Sequence, residues 1–326
     1  MKDGAALSTC AVENVVIQAG ECSVSVLPRM GGKISSILVR GHELLEAPLA
    51  PIAPRTPTMP FDASDASGWD ECLPSVANCQ VTTSSGTTEI PDHGDLWRVE
   101  WTASGEPDNG APNGSFVTMK ARCFSLPLML ERTLNLSAIS TGWRLKLDYK
   151  LTNAGSFPAP WSWAAHPLFT AAPGDRVLLP ESIHRLRLEG SGGKRLGKYG
   201  DTVNWPVAML ADGGETDLSV AQPPASEIGD KLFAGPLAAH ENWAALERPS
   251  AGVRIRVGFD PEKIPYLGLW ICHGGWPERP GPKQTCVALE PATAPVDSLA
   301  EHGPWSRELG PGNSYTWTMN VDLELI

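Results

Sequence analysis

A chain of 326 residues is long enough to bury a large core, either as two domains or as one large all-β domain. Charged residues make up only 19%, while 32 glycines and 30 prolines punctuate the chain, which suits many turns and short strands rather than long helices. The net charge of -11 and pI near 5.1 leave no basic face for nucleic acid or an anionic membrane, so the expected partner is a neutral small molecule.

The first residues carry no basic region followed by an apolar run, and no apolar stretch is long enough to span a bilayer. The seven cysteines form no C-x-x-C pair and are odd in number, which reads as reduced, mostly buried thiols in a cytoplasmic protein.

Residues 22–27 alternate as a strand, and residues 28–32 turn the chain into a second at 33–39. His42 and Glu43 are expected in a turn. Five prolines between 48 and 60 predict an irregular, stiffened loop. The block 68–75, Gly-Trp-Asp-Glu-Cys-Leu-Pro-Ser, follows it, and later come Asp92, His93, Gly94 and Asp95. Residues 97–101 and 115–124 read as strands joined by a Gly/Asn/Pro turn, and 130–136 as another. The clearest strand is 143–151, where Trp143, Leu145, Leu147, Tyr149 and Leu151 share one face and charged residues take the other. A turn at 153–155 leads into Trp-Ser-Trp-Ala-Ala-His-Pro-Leu-Phe at 161–169. Few periodic runs appear between 170 and 230. Strand patterns return at 253–259, 266–273, 285–290 and 317–325. With no linker between differently composed halves, residues 1–326 are expected to form one antiparallel β-sandwich domain.

Three blocks end strands with ionisable groups beside aromatics: 91–97, 161–169 and 288–293. Loops beyond strand ends are where a rigid sheet presents reactive groups. His93 is flanked by Asp92 and Asp95, either of which would hold its ring. His166 lies beside Trp161 and Trp163, and Glu290 ends an apolar strand where desolvation would raise its pKa. Singly, each histidine is most simply a hydrogen-bonded loop residue, and the tryptophans are core. Metal-binding spacings, a G-x-S-x-G elbow and a phosphate loop are all missing from the sequence.

The order of the blocks resembles the galactose mutarotase-like (aldose 1-epimerase) superfamily. It is carried by His93-Gly94 with Trp97, by His166-Pro167-Leu168-Phe169, and by Glu290 in Leu-Glu-Pro-Ala-Thr. The likeness runs from about Cys22 to Leu325. Ala165 stands where the galactose enzymes carry asparagine, and Asp95 where they carry a small or apolar residue. With the 68–75 block, these departures set the chain apart from the galactose enzymes and leave the sugar open.

The resemblance implies a large antiparallel β-sandwich that interconverts the α and β anomers of a free sugar, with no metal or nucleotide. It implies Glu290 as base toward O1, His166 as an imidazolium acid toward the ring oxygen O5, and His93 assisting there. Asp230 would hold hydroxyls. Trp69, Trp161, Trp270 and Trp276 would stack on the sugar, with Asp70 and Glu71 as further contacts. Arg55 or Lys33 would stand for the family's substrate-binding arginine. Two other expectations compete: a non-catalytic carbohydrate-binding protein on the same fold, and a glycosidase using Glu71 and Glu290 as paired carboxylates.

Overall fold

The period-two pattern at 143–151 becomes the Gly142–Asn153 strand, whose five apolar residues are buried while the charged ones between them stay partly exposed. The structure is a computed structural model describing residues 14–104, 115–301 and 303–326. In an eight-stranded sheet, Gly142–Asn153 pairs antiparallel with Leu128–Ile139 on one side and Ser314–Leu325 on the other. That sheet also holds Ser115–Arg122 and Val253–Phe259.

The second sheet has eleven strands, and its centre runs Trp69–Cys72, Ala164–Thr170, Thr285–Ala292, Tyr266–His273, Ile228–Ala234. These neighbours are antiparallel. Strands separated by more than a hundred residues are thus brought side by side. The main core lies between the two sheets and takes Trp69, Ala165, Phe169, Leu289 and Leu269 from the larger, Leu130, Leu147, Val257 and Met319 from the smaller, and Trp163 from just before the Ala164–Thr170 strand. Two smaller apolar clusters lie on the other face of the larger sheet. The chain is an all-β antiparallel sandwich, and among the described residues no helix is long and apolar enough to cross a membrane.

Some local expectations fail for visible reasons. Residues 97–101 are no strand: Leu96–Arg98 is a 3-10 turn whose three residues are all buried, with the Arg98 guanidinium 4.1 Å from the Trp97 ring. His42–Glu43 pairs as a short strand instead of turning, because Glu43 Oε1 accepts from the backbone N–H groups of Ile37, Leu44 and Leu45, at 3.0 Å each. Between 170 and 230 the strands are mostly three residues long, as in Thr202–Asn204 and Val207–Met209, too short to show a period. The turn expected before Ser115 falls largely outside the described residues, as does Cys10. The six described cysteines are free thiols, and five are buried.

Candidate active site

Strand parity builds the site. His166 pairs with Asp70, Trp270 with Lys231, and Glu290 with Gly268, so these residues share the face of the large sheet turned away from the other sheet. His166 and Glu290 lie between the paired Ala164–Ala292 and Leu168–Ala288 positions. On one side of this polar row lies an apolar patch of Leu168, Ala288, Trp270 and Trp276. On the other lies a patch of Cys72, Ala164, Ala292 and Phe233.

A cavity of about 420 Å³ opens over the row, lined by His166, Lys231, His93 and Asp297 among its polar groups and by Phe61, Trp270 and Trp276 among its aromatic ones. The Trp270 indole is held in place: its Nε1 donates to Gln284 Oε1 at 3.1 Å, and Gln284 Nε2 donates to the Ala66 carbonyl at 2.8 Å.

Glu290 is fully buried beneath His166 and Lys231. The Lys231 ammonium donates to Glu290 Oε2, while Oε1 has no hydrogen-bond partner and lies 3.9 Å from His166 Nε2. That gap is too long for a hydrogen bond. Gly268 makes room for this contact, because a Cβ there would lie 3.2 Å from Glu290 Cβ and 3.1 Å from Phe233 Cε1. Lys231 also stands 3.9 Å from Asp297 Oδ1. Burial alone would lower the Lys231 pKa, but the carboxylates of Glu290 and Asp297 raise it, so it stays charged. Burial raises the Asp297 carboxyl, and Glu290 adds to this against the pull of Lys231.

His166 lies well below the ordinary histidine range. Burial is the main cause, followed by His93 and by the cations Lys231 and Lys33. The imidazole is therefore neutral at pH 7 in the free protein, not the imidazolium expected from the sequence.

His93 reaches the cavity from a strained turn. Its φ is 58°, a left-handed value uncommon outside glycine, and a Cβ on the next residue, Gly94, would meet the Leu73 carbonyl at 2.2 Å. The turn lays the imidazole flat on Phe61, with ring centroids 3.7 Å apart, and sets it edge-on to His166 at 5.1 Å. Asp92 holds the ring, Oδ2 to Nδ1 at 3.0 Å. Burial would raise the Asp92 carboxyl, but His93 and then Arg98 outweigh it and bring it below its ordinary value. Asp95 does not touch this ring; its Oδ2 accepts from Phe124 N, Ser125 N and Ser125 Oγ at 2.9, 2.8 and 2.6 Å.

Several residues expected at the site lie elsewhere. Trp69 and Glu71 alternate with Asp70 and point into the core between the sheets. Glu71 there accepts from Arg132 Nη1 at 2.8 Å, Tyr149 Oη at 2.9 Å and Trp163 Nε1 at 2.8 Å. The sheet itself stands between Glu71 and Glu290, so they cannot flank one glycosidic bond, which removes the paired-carboxylate hydrolase. Trp161 packs in the core, 6.1 Å from Trp317.

Asp70 is on the cavity face but is taken up by Lys33 Nζ at 2.6 Å. Arg55 pairs with Asp65 at 2.6 Å and lies over Trp97, and neither Arg55 nor Lys33 lines the cavity. Asp230 is bound by Arg195 and by Ser191 Oγ on the opposite face, and its neighbour Lys231 takes the cavity position. Strand parity in the sequence puts Asp230 and Lys231 on opposite faces, but apolar residues share both faces, Leu232 with Asp230 and Phe233 with Lys231, so only the sheet shows which one meets the cavity. Phe61, Asp297 and Gln284 carried no comparable signal, because loops far apart in sequence bring them in.

No protein-family model matches the chain, and no curated protein matches it in sequence. Solved structures do. A protein of Synechocystis superposes with a TM-score of 0.70 at 17% identity over 100% of both chains. A galactose mutarotase-like protein of Lactobacillus casei gives 0.65 at 16% identity, over 96% of this chain and 100% of that one. A galactose mutarotase related enzyme of Lactobacillus acidophilus gives 0.65 at 14% identity, over 96% and 100%. This chain therefore has the galactose mutarotase-like fold.

Proposed function

We propose that this protein interconverts the α and β anomers of a free sugar by general acid–base catalysis, with Glu290, His166 and His93 as its catalytic residues. The observation that carries the reading is the unpartnered Glu290 Oε1 facing His166 Nε2 across 3.9 Å, beneath a cavity walled by Trp270 and Trp276. Tryptophan faces suit the apolar faces of sugar rings. A hydroxyl entering between the two groups would give its proton to Oε1, while the small imidazolium fraction of His166 supplies the proton to the ring oxygen. The ring opens to the aldehyde, rotates about C1–C2, and closes by the reverse transfers. His93, held by Asp92 and stacked on Phe61, would orient the sugar at the ring oxygen or share its proton.

Glu290→Gln tests the assignment: anomer exchange, followed by polarimetry, should fall at least a hundredfold while sugar still quenches tryptophan fluorescence (the size follows roughly the loss of a general base). Unchanged exchange kinetics would remove Glu290 from the chemistry. A second reading, sugar binding without turnover, is favoured by the Lys231 ammonium on Glu290 and by the full burial of that carboxylate. Saturable binding by the wild-type protein with no exchange above the spontaneous rate would select it.

A further inference from the structure

Lys231 and Asp297 form a second polar pair in the cavity, on the Oε2 side of the Glu290 carboxylate. Lys231 Nζ has three donor hydrogens and one short partner, Glu290 Oε2. Asp297 Oδ1 is buried without a hydrogen-bond partner, 3.9 Å from that ammonium. The Asp297 backbone is fixed on both sides: its carbonyl accepts from Val76 N at 3.0 Å and Ala77 N at 2.9 Å, and its N–H donates to Glu189 Oε1 at 3.0 Å. These bonds fix the backbone from which the carboxylate projects at the cavity wall.

A donor and an acceptor 3.9 Å apart are too distant to bond each other and are well spaced to hold one hydroxyl group between them, which accepts from the first and donates to the second. We propose that Lys231 and Asp297 read the sugar hydroxyl on the carbon next to the anomeric centre, O2. The inference rests on sugar binding in this cavity, as in the function proposed above. The position follows from the two sides of the Glu290 carboxylate. His166 approaches Oε1 and Lys231 holds Oε2. With O1 at Oε1 and the ring oxygen toward His166, the remaining carbon substituent of the anomeric centre, C2, would be directed toward the Oε2 side, where Lys231 lies. The ligand class is therefore an aldose with a free 2-hydroxyl, and 2-deoxy sugars are poor ligands.

The test compares D-glucose with 2-deoxy-D-glucose, and D-galactose with 2-deoxy-D-galactose, by calorimetric or fluorescence titration of wild-type protein, Asp297→Asn and Lys231→Met. Asp297→Asn preserves shape and leaves the Glu290 contact in place, so it guards against collapse of the site. Wild-type protein should bind the 2-hydroxy sugar roughly 30-fold more tightly than its 2-deoxy analogue, the size of a charged hydrogen bond. Both variants should shrink that ratio to within about threefold, chiefly by weakening the 2-hydroxy sugar. A wild-type ratio near one, or a full ratio retained in Asp297→Asn, overturns the O2 assignment while sugar binding stands. Absence of binding by all four sugars overturns the sugar-binding reading and this inference with it.

Discussion

Four groups crowd the His166 imidazole: the His93 ring at 5.1 Å, Glu290 at 3.9 Å, and the cations Lys231 and Lys33, the latter held by Asp70 opposite His166. Burial and the neighbouring positive charges both disfavour an imidazolium, and that sets a pH dependence. Because the pKa lies well below 6.5, the charged fraction at pH 7 is small and grows about tenfold for each unit of acidification until the pKa is reached. If His166 gives its proton to the ring oxygen, kcat/KM for anomer exchange, corrected for the spontaneous reaction, rises steadily as pH falls from about 7.5 toward 6. His166→Gln should lower the rate and flatten the slope. A wild-type profile that is level across this range would take the ring-oxygen proton away from His166.

At the scale of elements, the site depends on one missing side chain. The Tyr266–His273 strand passes between the strands carrying Lys231 and Glu290, and only Gly268 leaves space for the two to meet across it. Gly268 does not have a positive φ, so its role is space rather than backbone freedom. Gly268→Ala should keep the sheet, since alanine is tolerated in a strand, but the new methyl pushes Glu290 and Phe233 by a few tenths of an ångström. Exchange should drop roughly tenfold or more, as misplacement of reacting groups by a fraction of an ångström predicts, with thermal stability lowered by at most about 2 kcal/mol. Wild-type exchange in this variant would show that the Lys231–Glu290 contact has no bearing on rate. The same strand logic corrected the sequence reading twice. Asp230 gave way to Lys231, and Trp69 and Glu71 to Asp70, because neighbouring residues in a strand face opposite sides.

At the scale of the molecule, Glu71 and Arg132 join the two sheets through the core. Both are fully buried, and Arg132 also donates to the Gly32 carbonyl and lies 5.0 Å from the Trp101 ring. Burial raises the Glu71 pKa, opposed by Arg132, Trp163 and Tyr149, so removing one partner strands a charge in the core. Glu71→Ala should cost about 3–5 kcal/mol of stability, whereas the double variant Glu71→Gln, Arg132→Met should cost less than the sum of its single changes. Denaturant midpoints measure both. Strictly additive losses would mean that the two groups are not coupled.

The sequence by itself determined the long strands, their buried faces and the three blocks containing His93, His166 and Glu290, because period-two burial and turn chemistry act over a few residues. It also contained the parity that separates Lys231 from Asp230. The tertiary structure alone decided which tryptophans line the cavity, since a tryptophan ring packs equally well in a core or in a wall: Trp270 and Trp276 are in the wall, and Trp69 and Trp161 are inside. It alone placed Phe61, Gln284 and Asp297 around the polar row, through loops with no periodic signal. It also decided the charge state of His166, because desolvation and the approach of Lys231 and Lys33 depend on strands brought together from across the chain.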